Sequence, residues 1–505
     1  MIPLMARETL LTVEVEGIDP AGDGAAYATV DGRRVRIDYA IAGERVEVRI
    51  PAHRGGSIVG ELARVLRPSP HRVTPGCPYF GPCGGCTWQH IAYHEQLRLK
   101  EQMLQALLHQ SLGRAAPPVR PTRTGNGARS SGLASAADGQ PPTANREPAP
   151  VGPDLIAPWA FRNKVHFVLA PASRLGGLVI GHYHRRSQSV VEVDACPVHA
   201  GEGNRVAFAV RDALVRARVE GAPLDVRRGA RARIDRGARD ACRRVARHIV
   251  VRATDTPRET LATLVVTRNE RSLRPAVRAI VEAAAPDGLH LNVNDRPGPY
   301  LFGPETRRLY GRERVRETIA GVSFLISPTA FFQTNVRAAE TMVQCVLENA
   351  GEPATALDLY AGAGLFALPL ATRGVRVTAV EENAEAVEDG EASRGFNRIA
   401  ESRCRFVRAR AEDVAAGRGR RAVSGAPDLV VLDPPRVGCP ANVLNWICTS
   451  LRPPRIIYVS CNPEALATDL QLPLAAGYAL QLVQPVDMFP HTAHIETIAV
   501  LMKGE

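Results

Sequence analysis

The feature that most constrains this chain is a strand–turn–helix–strand unit between residues 355 and 381. Leu357-Asp358-Leu359-Tyr360 reads as a buried strand, Ala361-Gly362-Ala363-Gly364 as a tight turn, and Leu365 to Ala371 as the start of a helix. A second strand, Arg376-Val377-Thr378-Ala379-Val380-Glu381, ends in an acid. A helical crossover joins parallel strands, and parallel sheets are covered by helices on both faces. Further apolar runs follow at Asp428-Leu429-Val430-Val431-Leu432 and Arg455-Ile456-Ile457-Tyr458-Val459, with two more near 478–486 and 495–502. This alternation predicts a doubly wound α/β sheet closed by a hairpin. Ligands of such sheets bind beyond the carboxyl ends of the strands, so residues just past each strand are the candidates for a site.

Gly362 and Gly364 allow the backbone to approach a nucleoside, and Glu381 can accept hydrogen bonds from both ribose hydroxyls. Leu365 follows and no third glycine completes a pyrophosphate cradle, which favours S-adenosyl-L-methionine over a dinucleotide. Asp433-Pro434-Pro435-Arg436 stands at the end of the fourth strand, where the prolines stiffen the turn. An aromatic residue in place of Arg436 would suit methyl transfer to an amino nitrogen, so the arginine argues against that chemistry. Ser460-Cys461-Asn462-Pro463 comes one strand later. A cysteine after an apolar strand is often a small core residue, but polar neighbours and a helix-starting Asn-Pro make this one a candidate nucleophile. Thiolate addition to C6 of uracil makes C5 nucleophilic toward a methyl donor, and a base must then remove the C5 proton. Glu496, beside the His-rich segment Phe489-Pro490-His491-Thr492-Ala493-His494, is the candidate base; a strand-end salt bridge is its alternative role.

Upstream, residues 10–67 alternate with period two in five short runs separated by Gly-rich turns, as in a small barrel of oligonucleotide-binding type. Cys77, Cys83 and Cys86 lie within ten residues among glycines, and Cys196 offers a fourth thiol in Asp194-Ala195-Cys196-Pro197. Their spacing suits a [4Fe–4S] cluster and tetrahedral zinc equally. Residues 91–111 read as an amphipathic helix, and 112–156, rich in Pro, Gly, Ser and Ala, as a disordered insertion. Residues 157–320 mix strands and helices, and 202–305 carries no readable motif. At 505 residues, with roughly 150 per domain, about three domains are expected. A net charge of +11 suits an anionic partner such as RNA, although a merely soluble surface accounts for it equally. No apolar run is long enough to span a membrane and the N-terminus lacks a signal-like apolar region, so a cytoplasmic location is expected.

Together these motifs resemble the RNA uracil-5-methyltransferases, and within them the branch that carries a TRAM domain and an iron–sulfur cluster and modifies 23S ribosomal RNA. The resemblance rests on Cys77-x5-Cys83-Gly84-Gly85-Cys86 with Gln89, Asp194-x-Cys196-Pro197, Phe331-Phe332-Gln333-Thr334-Asn335, Asp358-Leu359-Tyr360-Ala361-Gly362, Asp433-Pro434-Pro435-Arg436, Ser460-Cys461-Asn462-Pro463 and Phe489-Pro490-His491-Thr492-x-His494-x-Glu496. It covers almost the whole chain outside 112–156. It implies an α/β fold: a Rossmann-like class I methyltransferase domain at 331–505, an N-terminal OB-like TRAM β-barrel at 1–70, and a central α+β iron–sulfur domain at 71–330. It further implies that Cys77, Cys83, Cys86 and Cys196 bind a [4Fe–4S] cluster and that Gln333, Tyr360, Gly362, Gly364, Glu381 and Asp433 bind S-adenosyl-L-methionine. Cys461 would be the nucleophile and Glu496 the proton acceptor. Leu365 departs from the asparagine often found there, which removes one donor contact, and no residue of Arg408-Ala409-Arg410-Ala411-Glu412 matches the adenine-facing position. The expected partner is RNA with a uridine flipped from its stack, met by a monomer and no membrane. Transfer RNA, cytidine C5 and a non-catalytic RNA-binding role are the alternatives.

Overall fold

The computed structural model describes residues 9–19, 24–50, 58–125, 159–172, 177–222, 244–270, 273–296, 301–418 and 425–504. The N-terminal alternation forms strands β1 (Thr9–Glu14), β2 (Gly17–Ile18), β3 (Ala26–Val30), β4 (Arg33–Ile37), β5 (Arg45–Ile50) and β6 (Ile58–Arg67). They make one sheet in the order β1-β5-β6-β4-β3-β2, a strand-rich region consistent with a barrel. The period-two pattern decides its faces: Val35, Ile37, Val46, Val48 and Ile50 are buried, while Arg34 beside Val35 and Arg49 between Val48 and Ile50 are exposed. Tyr39 Oη donates to the Gly81 carbonyl at 2.8 Å, and Arg185 reaches Asp38 at 3.1 Å, so this sheet is fastened to the Cys-rich segment.

Helix α1 (Tyr93–Leu112) follows. The central layer holds β7 (Lys164–Pro171), β8 (Leu178–Tyr183), β9 (Val190–Glu192), α2 (Gly201–Arg216), β10 (Glu220–Gly221), β11 (Arg244–Ala253), β12 (Thr260–Val266), α3 (Leu273–Ala284), β13 (Gly288–Val293) and β14 (Glu305–Gly311). Its sheet runs β14-β13-β12-β11-β7-β8-β9, with β10 beside β11. Helices α2 and α3 cover one face through Val206, Val210, Leu214, Ala276 and Ile280, all buried against Phe167, Val251 and Leu264.

The C-terminal part begins with a hairpin, β15 (Val315–Ile319) and β16 (Val322–Ile326). It continues through α4 (Val336–Asn349), β17 (Thr355–Leu359), α5 (Ala367–Thr372), β18 (Arg376–Glu381), α6 (Ala384–Phe396), β19 (Cys404–Arg408), α7 (Ala411–Ala415) and β20 (Leu429–Leu432). The last elements are α8 (Ala441–Asn445), β21 (Arg455–Ser460), α9 (Pro463–Asp469), α10 (Gln471–Ala475), β22 (Tyr478–Val486) and β23 (Glu496–Lys503). The sheet order is β19-β18-β17-β20-β21-β23-β22, parallel except for β23, which runs antiparallel to both its neighbours. This is the class I methyltransferase arrangement, and the strand order reverses at β17 and β20.

Two expectations change. Residues 113–125 of the expected disordered insertion are ordered: a short 3-10 turn, Gly113–Ala115, leads into a segment that runs beside β22. Arg120 N donates to Val483 O and Arg123 N to Pro485 O, both at 3.0 Å. The open edge of β22 supplies hydrogen-bond partners that composition cannot reveal. Residues 126–156 lie outside the described residues. The second change is at the domain boundary. Val315, Ile319, Phe324 and Ile326 share a core with α4 and β17, and Leu104 and Leu108 of α1 share one with Leu432 and Ile456. The hairpin and α1 therefore pack with the C-terminal sheet, ahead of the expected start at 331.

Candidate active site

The sheet brings five chain segments to one edge. β17 and β18 run parallel, so the Gly turn after β17 meets the acid at the end of β18: Gly362 N donates to Glu381 Oε2 at 2.9 Å, and Asn383 N donates to Oε1 at 2.8 Å. Tyr360, Gly362 and Gly364 all have left-handed backbone, with φ of 60°, 54° and 86°. The two glycines serve different ends. A Cβ on Gly364 would lie 2.7 Å from the Phe406 ring, whereas a Cβ on Gly362 would meet nothing within 4 Å. Gly364 is there for packing, and Gly362 faces the open space a ligand would fill. Asp358, fully buried beneath this turn, has no hydrogen-bond partner on either carboxylate oxygen. Burial, with the charges of Asp433 and Glu381, pushes its pKa well above the usual range; the Ala367 amide opposes the shift without closing a hydrogen bond.

Cross-strand register assembles the second half of the site. Ser460 pairs with Thr497 in the antiparallel β21–β23 ladder, so the next residues outward, Cys461 and Glu496, face each other. Leu432 pairs with Tyr458 in the parallel β20–β21 ladder, which sets Asp433 beside them. Asn462 caps α9 by accepting from Glu464 N at 3.1 Å, and its Nδ2 donates to the Arg436 carbonyl at 2.8 Å. Arg436 Nη2 lies 3.0 Å from His494 Nδ1. Cys461 opens on a cleft of about 270 Å³ lined also by Lys100, Arg436, Asn462, His494 and Ile495.

The electrostatics of this group are coupled. Burial, then the charges of Glu496 and Asp433, push the Cys461 thiol up to about 11, while the Arg436 guanidinium pulls it back through charge and a hydrogen bond. Glu496, 4% exposed, is held well above the carboxylate range by burial and by Asp433, and Arg436 again opposes. Asp433 keeps a partly exposed side chain, yet the atoms crowding its carboxyl push it up to about 7. Arg436 is thus the shared counter-charge that favours the ionised forms of a thiol and a carboxyl whose burial favours the protonated ones.

The segment between β22 and β23 is pinned by α1 and by the residues after the Cys-rich segment. Lys100 of α1 forms a fully enclosed ion pair with Asp487 at 2.6 Å and donates to the Phe489 carbonyl at 3.1 Å. Tyr93 Oη donates to the other Asp487 oxygen at 2.7 Å. Gln96 Oε1 accepts from His491 N at 2.9 Å, and the His491 carbonyl accepts from Thr87 N and Trp88 N. His491 has a left-handed φ of 65°, a conformation these bonds hold in place.

Thr87 directly follows Cys86, and the Cys-rich segment forms a second pocket. Cys77, Cys83, Cys86 and Cys196 line a cavity of about 310 Å³ with Gln89, Arg162, His182, His199 and Thr334. Gln89 Oε1 accepts from Cys77 N at 3.1 Å. A single tetrahedral ion with sulfur at about 2.3 Å holds its thiolates about 3.8 Å apart. Among the described residues, no three of these four thiols gather within 4.8 Å of one another.

The family model described as tRNA (Uracil-5-)-methyltransferase matches residues 310–504. An uncharacterized RNA methyltransferase of Gloeobacter violaceus is 33% identical over 498 residues, covering 98% of this chain and 96% of the relative. The chain belongs to the RNA uracil-5-methyltransferase family. A second uncharacterized RNA methyltransferase, from Halalkalibacterium halodurans, is 32% identical over 496 residues, 97% of this chain and 96% of that one. The structure of the Pyrococcus abyssi tRNA (uracil-54, C5)-methyltransferase in complex with S-adenosyl-L-homocysteine shares the fold, with a TM-score of 0.72 at 22% identity over 97% of this chain and 100% of that one.

For a member of this family the expected residues fall into three groups. Tyr360, Gly362, Gly364, Glu381 and Asp433 lie on the sheet edge, and Cys461 faces Glu496 beside them. Gln333, 9% exposed, precedes Thr334, whose carbonyl accepts from Asn163 N at 2.6 Å and which lines the thiol pocket. The four thiols share that separate pocket. Leu365 is core, 8% exposed. Sequence reasoning assigned no role to Arg436, His494, Asp358 or Lys100. Lys100 did leave a trace: it is one of only three lysines in an Arg-rich chain. A compact ammonium fits the enclosed site at Asp487 where a forked guanidinium would not. No helix of the described residues is long and apolar enough to cross a membrane.

Proposed function

We propose that this chain transfers the methyl group of S-adenosyl-L-methionine to C5 of a uridine in RNA, with Cys461 as nucleophile and Glu496 as base. The observation that carries the reading is the juxtaposition of Cys461 and Glu496 across β21 and β23, with Arg436 acting on both. Glu381, Gly362, Tyr360, Asp433 and Gln333 would hold the donor, which supplies an electrophilic methyl on sulfur. The open space over Gly362 and the partnerless carboxyl of Asp358 beneath it fit a bound nucleoside. The Cys461 thiolate, favoured by Arg436, adds to C6 of the flipped base, and C5 gains carbanion character that takes the methyl. Glu496 then accepts the C5 proton, C5–C6 reforms its double bond, and the C6–sulfur bond breaks to return the thiolate. A carboxyl held high by burial is a strong base once ionised.

Cys77, Cys83, Cys86 and Cys196 would hold a [4Fe–4S] cluster. Their shared pocket, lined by four thiols, supports a common metal group there. The N-terminal sheet fits the role of a TRAM domain holding RNA. Both features accord with 23S ribosomal RNA as substrate, although the matching family model and the Pyrococcus neighbour are described for transfer RNA.

The test is covalent capture. RNA carrying 5-fluorouridine should form a denaturation-resistant complex with the wild-type chain and none with Cys461→Ser. Glu496→Gln should accumulate the adduct on ordinary uridine RNA. Normal RNA binding without capture would remove Cys461 from the reaction, and free turnover by Glu496→Gln would remove Glu496. A methylated cytidine-only hairpin would move the target to cytosine. Mapping 5-methyluridine in total RNA with and without the gene names the RNA.

A further inference from the structure

The wall of the thiol pocket carries an arrangement that methyl transfer does not use. His182 of β8, Cys196 and His199 each offer a ligand atom, and all three atoms lie within 4.8 Å of one another. Among the described residues this is the sole His, Cys or carboxylate group so closely gathered. The imidazoles are short of partners: His182 Nε2 and His199 Nδ1 are buried with no hydrogen bond, and His199 as a whole is 3% exposed. A buried ring nitrogen without a partner loses its hydration with nothing in return, so two beside a thiol call for an explanation.

The surroundings hold the three donors firmly. Phe167 stacks on His182 with centroids 4.8 Å apart and meets His199 edge-on at 5.1 Å. Asn204 Oδ1 accepts from Cys196 N at 3.1 Å, and Asn204 Nδ2 donates to the Cys196 carbonyl at 2.9 Å and the His199 carbonyl at 3.4 Å. His199 N closes the turn on the Cys196 carbonyl at 3.1 Å. Supporting bonds of this kind fix ligand orientation in metal sites.

We propose that His182, Cys196 and His199 form a mononuclear site for a borderline-soft divalent cation, with zinc the best match. Two imidazoles and one thiolate are a zinc donor set that leaves a fourth position for water. Cys196 is also the only thiol offered to a four-cysteine cluster from outside the 77–86 segment. The ion and the cluster therefore compete for one thiolate, so the chain holds one or the other. This competition, though not the site itself, rests on the cluster reading.

The test uses the full-length chain prepared free of iron and titrated with zinc. One equivalent should bind, with X-ray absorption showing two nitrogen ligands and one sulfur from protein. The Cys77→Ser/Cys83→Ser variant should keep this binding, and His182→Ala/His199→Ala should weaken it at least tenfold. Sulfur-only coordination, or undiminished affinity in the histidine variant, overturns the site. Cobalt on the wild-type chain guards against a misfolded variant: a charge-transfer band from one thiolate supports the site, and bands from three or four overturn it. The iron-loaded chain should take up no zinc. Uptake with the iron retained overturns the competition. A chain that binds zinc in this way but never assembles iron defeats the cluster reading and leaves the site standing.

Discussion

Lys100 offers the sharpest test of how the catalytic segment is held. Its ammonium and the Asp487 carboxylate are 2.6 Å apart, and both side chains are 0% exposed. Burial lowers the Lys100 pKa, and the Asp487 charge pulls it back up. Lys100→Met leaves Asp487 charged in a dry site with only Tyr93 Oη facing it. Breaking one side of a buried pair costs roughly 3–5 kcal/mol. At about 1.4 kcal/mol per factor of ten, opening of the 487–495 segment should become roughly a hundredfold to several thousandfold more frequent. Hydrogen exchange followed by mass spectrometry reads this at the amides of Asp487 and His491, which bond to Arg123 O and Gln96 Oε1. Methyl transfer should fall in parallel, because His494 and Glu496 lie at the end of this segment. Lys100→Met/Asp487→Asn removes both charges and should recover much of the protection. Single effects that simply add, or less than a tenfold rise in exchange for Lys100→Met, would refute the claim that this pair pins the site.

Other outcomes follow from the same geometry. Alkylation of Cys461 in the ligand-free chain, read by peptide mass spectrometry, should rise about tenfold per pH unit from pH 7 without levelling off below pH 10, because the thiol sits at about 11 and only its thiolate reacts. Arg436→Met removes the cation that lowers this value, so alkylation should slow at every pH; a plateau near pH 8 in the wild type would contradict the burial argument. Gly362→Ala places a methyl in open space at a φ of 54°, costing about 1 kcal/mol of stability while weakening donor binding in calorimetry. Gly364→Ala drives a methyl into Phe406 at a φ of 86° and should instead destabilise by roughly 2–4 kcal/mol, seen as a lower melting temperature.

Much of this site was legible in the chain because parallel α/β sheets obey one rule: strand ends gather on one edge. Period and turn chemistry located β17, β18, β20 and β21, and Gly362, Glu381, Asp433 and Cys461 followed as the residues just past them. Glu496 was legible for the same reason, since the last strand returns antiparallel and begins where the others end. Local pattern could not show what depends on register and on distant partners. That Cys461 faces Glu496 is fixed by the Ser460–Thr497 pairing, a property of two strands docked together. Arg436 gains its role from lying between a thiol and a carboxyl that sequence separates by 35 residues. Segment 113–125 reads as disordered by composition, yet it is ordered by the free edge of β22. Lys100, nearly 400 residues before Asp487, pairs with it only because α1 packs on the C-terminal sheet. By itself, then, the sequence determined the elements and the chemical candidates, which depend on neighbours along the chain. The tertiary structure decided which candidates share a charge, a cleft or a hydrogen bond, because burial and Coulomb interaction depend on distance through space.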